Sequence, residues 1–143
     1  MIRVSRLADY AVVILSVMSS VSNDVMNSSS ISRLSKLPEP TVSKILKLLG
    51  RANILQSKLG ANGGYTLLKS PEEVSMSDIL QAIDGPVSVT SCIDGAMPDC
   101  NLADFCTIRG RWDNVNKVLC DALDGITLAD MMPENTNYTI RRS

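Results

Sequence analysis

Residues 38–68 read PEPTVSKILKLLGRANILQSKLGANGGYTLL, and the fold follows from how that stretch divides. Pro40 suits the first position of a helix, where its missing N–H costs nothing. From there Val42, Ile45, Leu46 and Leu49 recur at helical spacing along one face, while Lys44, Lys47 and Arg51 fall opposite. One face packs and the other is cationic. A strand over 54–59 follows, then GANGG at 60–64, whose Asn-Gly pair signals a hairpin, then a returning strand over 65–68. Upstream, Ser28 is placed to cap a helix over about 29–36 with Ile31 and Leu34 inward, ended by Leu-Pro-Glu-Pro. A basic helix face alone is as readily a solvated surface. Two short helices joined by a tight turn and followed by a hairpin instead predict a winged helix-turn-helix: a mainly α fold with a small β-hairpin wing.

In that arrangement the helix from Pro40 enters the major groove of duplex DNA. Thr41, Ser43 and Lys44 near its start reach base edges, and Lys47 and Arg51 hold phosphates. Lys58, Gly60, Asn62 and Gly63 of the wing are small or polar enough to approach a sugar-phosphate backbone or a minor groove. The glycines do not form a nucleotide loop, since neither G-x-x-x-x-G-K-[ST] nor G-x-G-x-x-G is present and the loop joins two strands. Three Tyr, one Trp and one Phe are too few for a single-strand stacking platform.

Charge supports a polyanionic partner. The net charge of −1 conceals nine Lys/Arg against three Asp/Glu in residues 1–71, about +6, and five against twelve in residues 72–143, about −7. Histidine is absent, which removes the usual general base, the Ser-His and Cys-His pairs and the commonest neutral metal ligand together. An enzyme is not expected.

At the N-terminus, Arg3 and Arg6 precede the apolar run YAVVILSVM, which superficially resembles a secretory signal. Asp9 breaks that pattern and SSVS at 19–22 lacks a small-residue cleavage site, so a buried helix over about 7–20 and a cytoplasmic location are expected. Beyond the wing, Ser75 with Asp78 makes a capping box for a helix running through Ile83, which presents Ile79, Leu80 and Ile83 inward and ends at Gly85-Pro86. A long helix over about 107–123 then carries Ile108, Trp112, Val115, Leu119 and Ala122 on one stripe. Such a stripe is buried against a second copy or packs back on the first helix, and palindromic half-sites call for the dimer. The chain thus divides into a winged DNA-binding region (1–70), a cofactor and dimerisation region (71–132) and a flexible tail (133–143).

Cys92, Cys100 and Cys106 lie in the loop between those two helices, spaced Cys-x7-Cys-x5-Cys. A chain that is 45% hydrophobic needs no disulfide staples. Three thiols gathered in an irregular polar segment suit a soft metal or an iron-sulfur cluster better than they suit packing. A structural zinc ion, or a thiol switch joining Cys92 and Cys106, would use the same residues. Cys120, on the edge of the helix stripe, reads as a buried structural thiol.

The segments IRVSRLADYAV, PTVSKILKLLGRANIL, GANGGYTL, SMSDILQAIDGPV, the three-cysteine loop, TIRGRW and ITLADMM occur in the order found in the bacterial iron-sulfur winged-helix regulators typified by IscR and NsrR, the Rrf type. The chain resembles that family over residues 1–132, and most closely its regulators of the SUF iron-sulfur assembly operon. The resemblance implies a homodimer that binds operator DNA, represses iron-sulfur assembly genes and senses a two-iron or four-iron cluster held by Cys92, Cys100 and Cys106. Some members supply a histidine three residues after the last cysteine, where this chain has Arg109, a cation that cannot ligate iron. Others use an acidic residue near the start of the first helix, which Asp9 matches. Asp104 or an exogenous small ligand could serve instead.

Overall fold

A computed structural model describes residues 2–21, 24–93, 100–102 and 104–133. Helix α1 spans Arg6–Ser20, capped by Ser5, whose Oγ accepts from Ala8 N at 3.1 Å. Its inward face carries Ala8, Ala11, Ile14, Leu15 and Met18, all buried. Helix α2 spans Ser28–Ser35, one residue earlier than its sequence suggests. The reason is Asn27, whose Oδ1 accepts from Ser30 N at 2.8 Å and takes the capping role expected of Ser28. Lys36 ends α2 with a left-handed φ of 62°.

Helix α3 spans Glu39–Arg51, so Pro40 stands second rather than first, still within the turn whose N–H groups lack helical partners. Val42, Ile45, Leu46 and Leu49 are fully buried, as the periodicity requires. The hairpin follows with β1 (Leu55–Lys58) antiparallel to β2 (Gly64–Leu67), Leu55 facing Leu67 and Lys58 facing Gly64. The connection is a five-residue tip, 59–63, one residue earlier than the sequence places it. Gly60 supplies the positive φ, 109°, and a Cβ on Gly63 would collide with the backbone oxygens of Lys58 and Gly60. Met26 adds a one-residue bridge to Tyr65, with bonds of 2.9 and 2.8 Å.

Helix α4 (Met76–Asp84) begins at the expected Ser75/Asp78 capping box, with bonds of 3.0 Å in each direction, and stops at Gly85, φ 84°. The core joins α1–α3 and β1 to residues beyond the wing, since Val74, Met76, Ile79 and Leu128 lie in the same buried cluster. Helix α5 spans Trp112–Asp124 and starts five residues later than its apolar pattern suggests. Residues 107–111 are turns, and Gly110 at φ 75° interrupts any helix there, leaving Ile108 ahead of α5 rather than on it. Helix α6, Leu128–Met131, returns the chain through Leu128 N to Val74 O and Met76 N to Ile126 O, both 2.8 Å. The expected flexible tail lies outside the described residues after Pro133.

Candidate nucleic-acid interface and thiol segment

The periodicity that buries one face of α3 leaves the other in solvent. Lys44, Lys47 and Arg51 are exposed, and Thr41 and Ser43 are half-buried at the helix start. Among the described residues, none of the three cations makes an ion pair; the pair formed there joins Lys117 Nζ to Asp121 at 2.8 Å on α5. Cations unneutralised from within are available to phosphates. Helix α3 is linked to α2 at its N-terminal end, where Ser28 Oγ donates to Glu39 Oε1 at 3.2 Å. On the wing Lys58, Gly60 and Asn62 are exposed and Gly63 is half-buried, and the tip carries no side chain larger than Leu59 or Asn62. The DNA-facing candidates therefore fall into two groups, one on α3 and one on the hairpin, joined through the α3–β1 connection, where Ile54 N bonds Leu49 O at 3.1 Å.

The thiol segment is built differently. Cys92 is exposed and Cys100 and Cys106 half-buried, all three as free thiols rather than disulfides. The Cys92 Sγ lies 3.1 Å from Thr90 Oγ1, a hydroxyl able to donate to a thiolate. Around Cys106 the backbone makes isolated turns, Phe105 N to Leu102 O at 3.0 Å and Arg109 N to Cys106 O at 3.4 Å, with no continuous helix. In donor chemistry the three thiols fit an iron-sulfur cluster or zinc. Among the described residues, no three His, Cys, Asp or Glu side chains converge as a metal site would. Asp9 is exposed in the first turn of α1, where the helix dipole favours a carboxylate. It lines a groove of about 720 Å³ shared with Arg3, Val4, Leu80, Leu123 and Ile126.

Helix α5 packs on α4. It has no fully buried residue, and its inward stripe is Asn116, Leu119, Cys120 and Leu123, all half-buried. Of the residues read as a dimerisation stripe, Leu119 shares that inward face, while Trp112, Val115 and Ala122 are exposed beside it and Ile108 precedes the helix. Cys120 is half-buried rather than buried.

Asn116 is not a candidate on sequence alone. Its Oδ1 accepts from Val89 N at 3.0 Å and its Nδ2 donates to Val87 O at 3.1 Å, tying the stretch before the thiols to α5. The signal that marks it is a lone amide within an apolar stripe at i, i+3, i+4 and i+7 spacing.

Among the described residues, no helix is long and apolar enough to cross a membrane. Residues 4–134 match the Rrf2 family, described as iron-dependent transcriptional regulators. An rrf2-like HTH-type transcriptional regulator of Rhodobacter capsulatus is 33% identical over 99 residues, 66% of each chain, so the chain spans just under two thirds of that relative's length. The IscR structure from T. potens superposes with a TM-score of 0.64 at 26% identity, covering 91% of this chain and 85% of that one. CymR, the global cysteine regulator of B. subtilis, gives 0.67 at 24% identity, covering 92% and 96%, and shares the fold. These relatives are transcriptional regulators and not enzymes.

Proposed function

Because the chain belongs to the Rrf2 family of transcriptional regulators, we propose that it is a cytoplasmic iron-sulfur-sensing repressor of iron-sulfur assembly genes that binds operator DNA as a homodimer. The observation that carries this reading is the set of three unbridged thiols, Cys92, Cys100 and Cys106, between α4 and α5 in the chain. Residues 1–70 serve as the DNA-binding region and 71–132 as the cofactor and dimerisation region. The exposed Trp112, Val115 and Val118 support a second copy covering α5. The three cysteines would hold the cluster, with Asp9 as the fourth ligand.

When bound, the cluster supplies an inorganic link that iron shortage or oxidative and nitrosative stress can break. The rest of the action belongs to the chain. Thr41, Ser43 and Lys44 read base edges, Lys47 and Arg51 neutralise phosphates, and Lys58, Gly60, Asn62 and Gly63 bring the wing against the duplex. The segment between α4 and α5 sets how the two winged regions of a dimer are spaced on their half-sites.

Similarity in fold to CymR, a global cysteine regulator, supports a second reading, in which the thiols hold zinc or act as a redox switch without a cluster. Anaerobic reconstitution separates the two. The first reading expects a coloured protein containing iron and acid-labile sulfide, with less of both in Asp9→Ala, and promoter affinity that falls as salt rises. A colourless zinc protein, or an iron-free one with the same DNA affinity, favours the second.

A further inference from the structure

The stretch from Val87 to Val89 belongs to no helix or strand, yet it is not loose. The Asn116 carboxamide meets it edge-on, accepting from Val89 N and donating to Val87 O, as a neighbouring strand would. A flipped amide would set NH2 against N–H and oxygen against oxygen, so one orientation alone satisfies both groups. Cys120 Sγ approaches the same Val87 oxygen at 3.9 Å, a far weaker contact. Beyond the grip, Ser88 Oγ donates to Thr90 O at 2.5 Å, and Thr90 Oγ1 lies against the Cys92 sulfur. A short run of hydrogen bonds thus leads from the first thiol to the middle of α5, a helix with no fully buried residue.

We propose that Asn116 is the positioning residue that makes α5 follow the thiol segment, an inference resting on the cofactor-sensing reading above. With the amide in place, drawing Cys92 into a ligand sphere or releasing it moves residues 87–89 and α5 together. Without the amide the segment moves alone, and the DNA-binding half does not register it.

The test uses the full chain, cofactor-free and anaerobically reconstituted, as wild type, Asn116→Leu, Asn116→Asp and Cys120→Ala. Asn116→Asp keeps an acceptor for Val89 but places a carboxylate oxygen against the Val87 carbonyl. In cofactor-free wild type the Val89 amide should exchange with deuterium at least about 10-fold more slowly than an unprotected amide. In Asn116→Leu that protection should vanish, while Asn116→Asp, which keeps the acceptor for Val89 and loses only the donor to Val87, and Cys120→Ala keep it. The ratio of promoter Kd values between the two cofactor states, on the order of 5–150-fold for an allosteric coupling, should fall to within about twofold of unity in the Asn116 variants and persist in Cys120→Ala.

A ratio preserved in Asn116→Leu overturns the inference. So does a Val89 amide that exchanges freely in wild type, a measurement that needs no variant to fold. Failure of the underlying reading looks different: wild type then takes up no iron and its ratio is unity, and Val89 exchange decides by itself whether Asn116 holds the segment.

Discussion

The two halves of this chain are held together by different means. Around α1–α3 and β1, side chains such as Ile14, Ile45, Leu46 and Leu49 are wholly removed from water. Between Gly85 and Ile126 no described side chain is fully buried, and the segment rests on half-buried contacts and the Asn116 amide. On the proposed function, a unit that presents α3 to a duplex needs a packed core, because the positions of its cations determine which phosphates they meet. On the same proposal, a unit that responds to a cofactor is better left close to balance, where a few contacts decide its state.

The largest expected effect is on the packed side. Leu46→Ala should lower stability by about 2–5 kcal/mol in chemical denaturation, through reduced burial and the cavity left behind. Val115→Ala, on the open face of α5, should change the stability of the dilute chain by no more than about 0.5 kcal/mol. If Val115→Ala proves as damaging at low concentration as Leu46→Ala, the contrast between the halves breaks. A concentration-dependent melting temperature weakened by Val115→Ala sharpens it instead, by showing that a second copy covers this face.

Next come the α3 cations. Alanine at Lys47 or Arg51 should weaken duplex binding about tenfold, and the slope of log affinity against log salt should become shallower by about one for each phosphate left without its cation. Equal alterations at Lys117 should leave that slope unchanged, since it lies on α5 and is already paired with Asp121. Titration of a labelled promoter duplex across salt concentrations reads both.

Smaller still is the cap at the boundary. Ser75→Ala should cost about 1 kcal/mol by removing half of the capping box that starts α4. Its effect should appear in urea midpoints and not in the salt slope.

The smallest effect is on acid stability. The Glu73 carboxylate is held below the ordinary range by the backbone N–H of Ser70, then by its hydroxyl, and Asp130 is held down likewise by Thr127. Because the folded values are lowered, the stabilisation is complete above the ordinary carboxylate range and is lost as pH falls through the depressed values. Ser70→Ala and Thr127→Ala should therefore each narrow the difference in urea midpoint between pH 7 and acid slightly, both carboxylates being fully exposed.

Legibility in the sequence follows the same division. The stripe Val42, Ile45, Leu46, Leu49, the Ser75/Asp78 box and the hairpin glycines are local signals, and each lies where its pattern places it, apart from shifts of a residue or so. Asn27 takes the cap from Ser28 because several good capping residues stand in a row, and local preference does not choose among them. The start of α5 is misplaced by its sequence pattern because Ile108 is in phase with the stripe, while Gly110, which interrupts the helix, is tolerated by a periodicity argument. Asn116 stays hidden because its partners lie 27 and 29 residues away. The cysteine spacing suits soft-metal ligation, but spacing does not say whether the thiols meet, and among the described residues they do not converge.

The central claim concerns Cys92, Cys100 and Cys106 acting as one set. Its most direct measurement is iron and sulfide content with promoter affinity, taken on the same anaerobically reconstituted samples of wild type and each single Cys→Ala variant. The account predicts that each replacement removes most of the iron and shifts the affinity to that of the cofactor-free chain. Three variants that keep wild-type iron and wild-type affinity would contradict it.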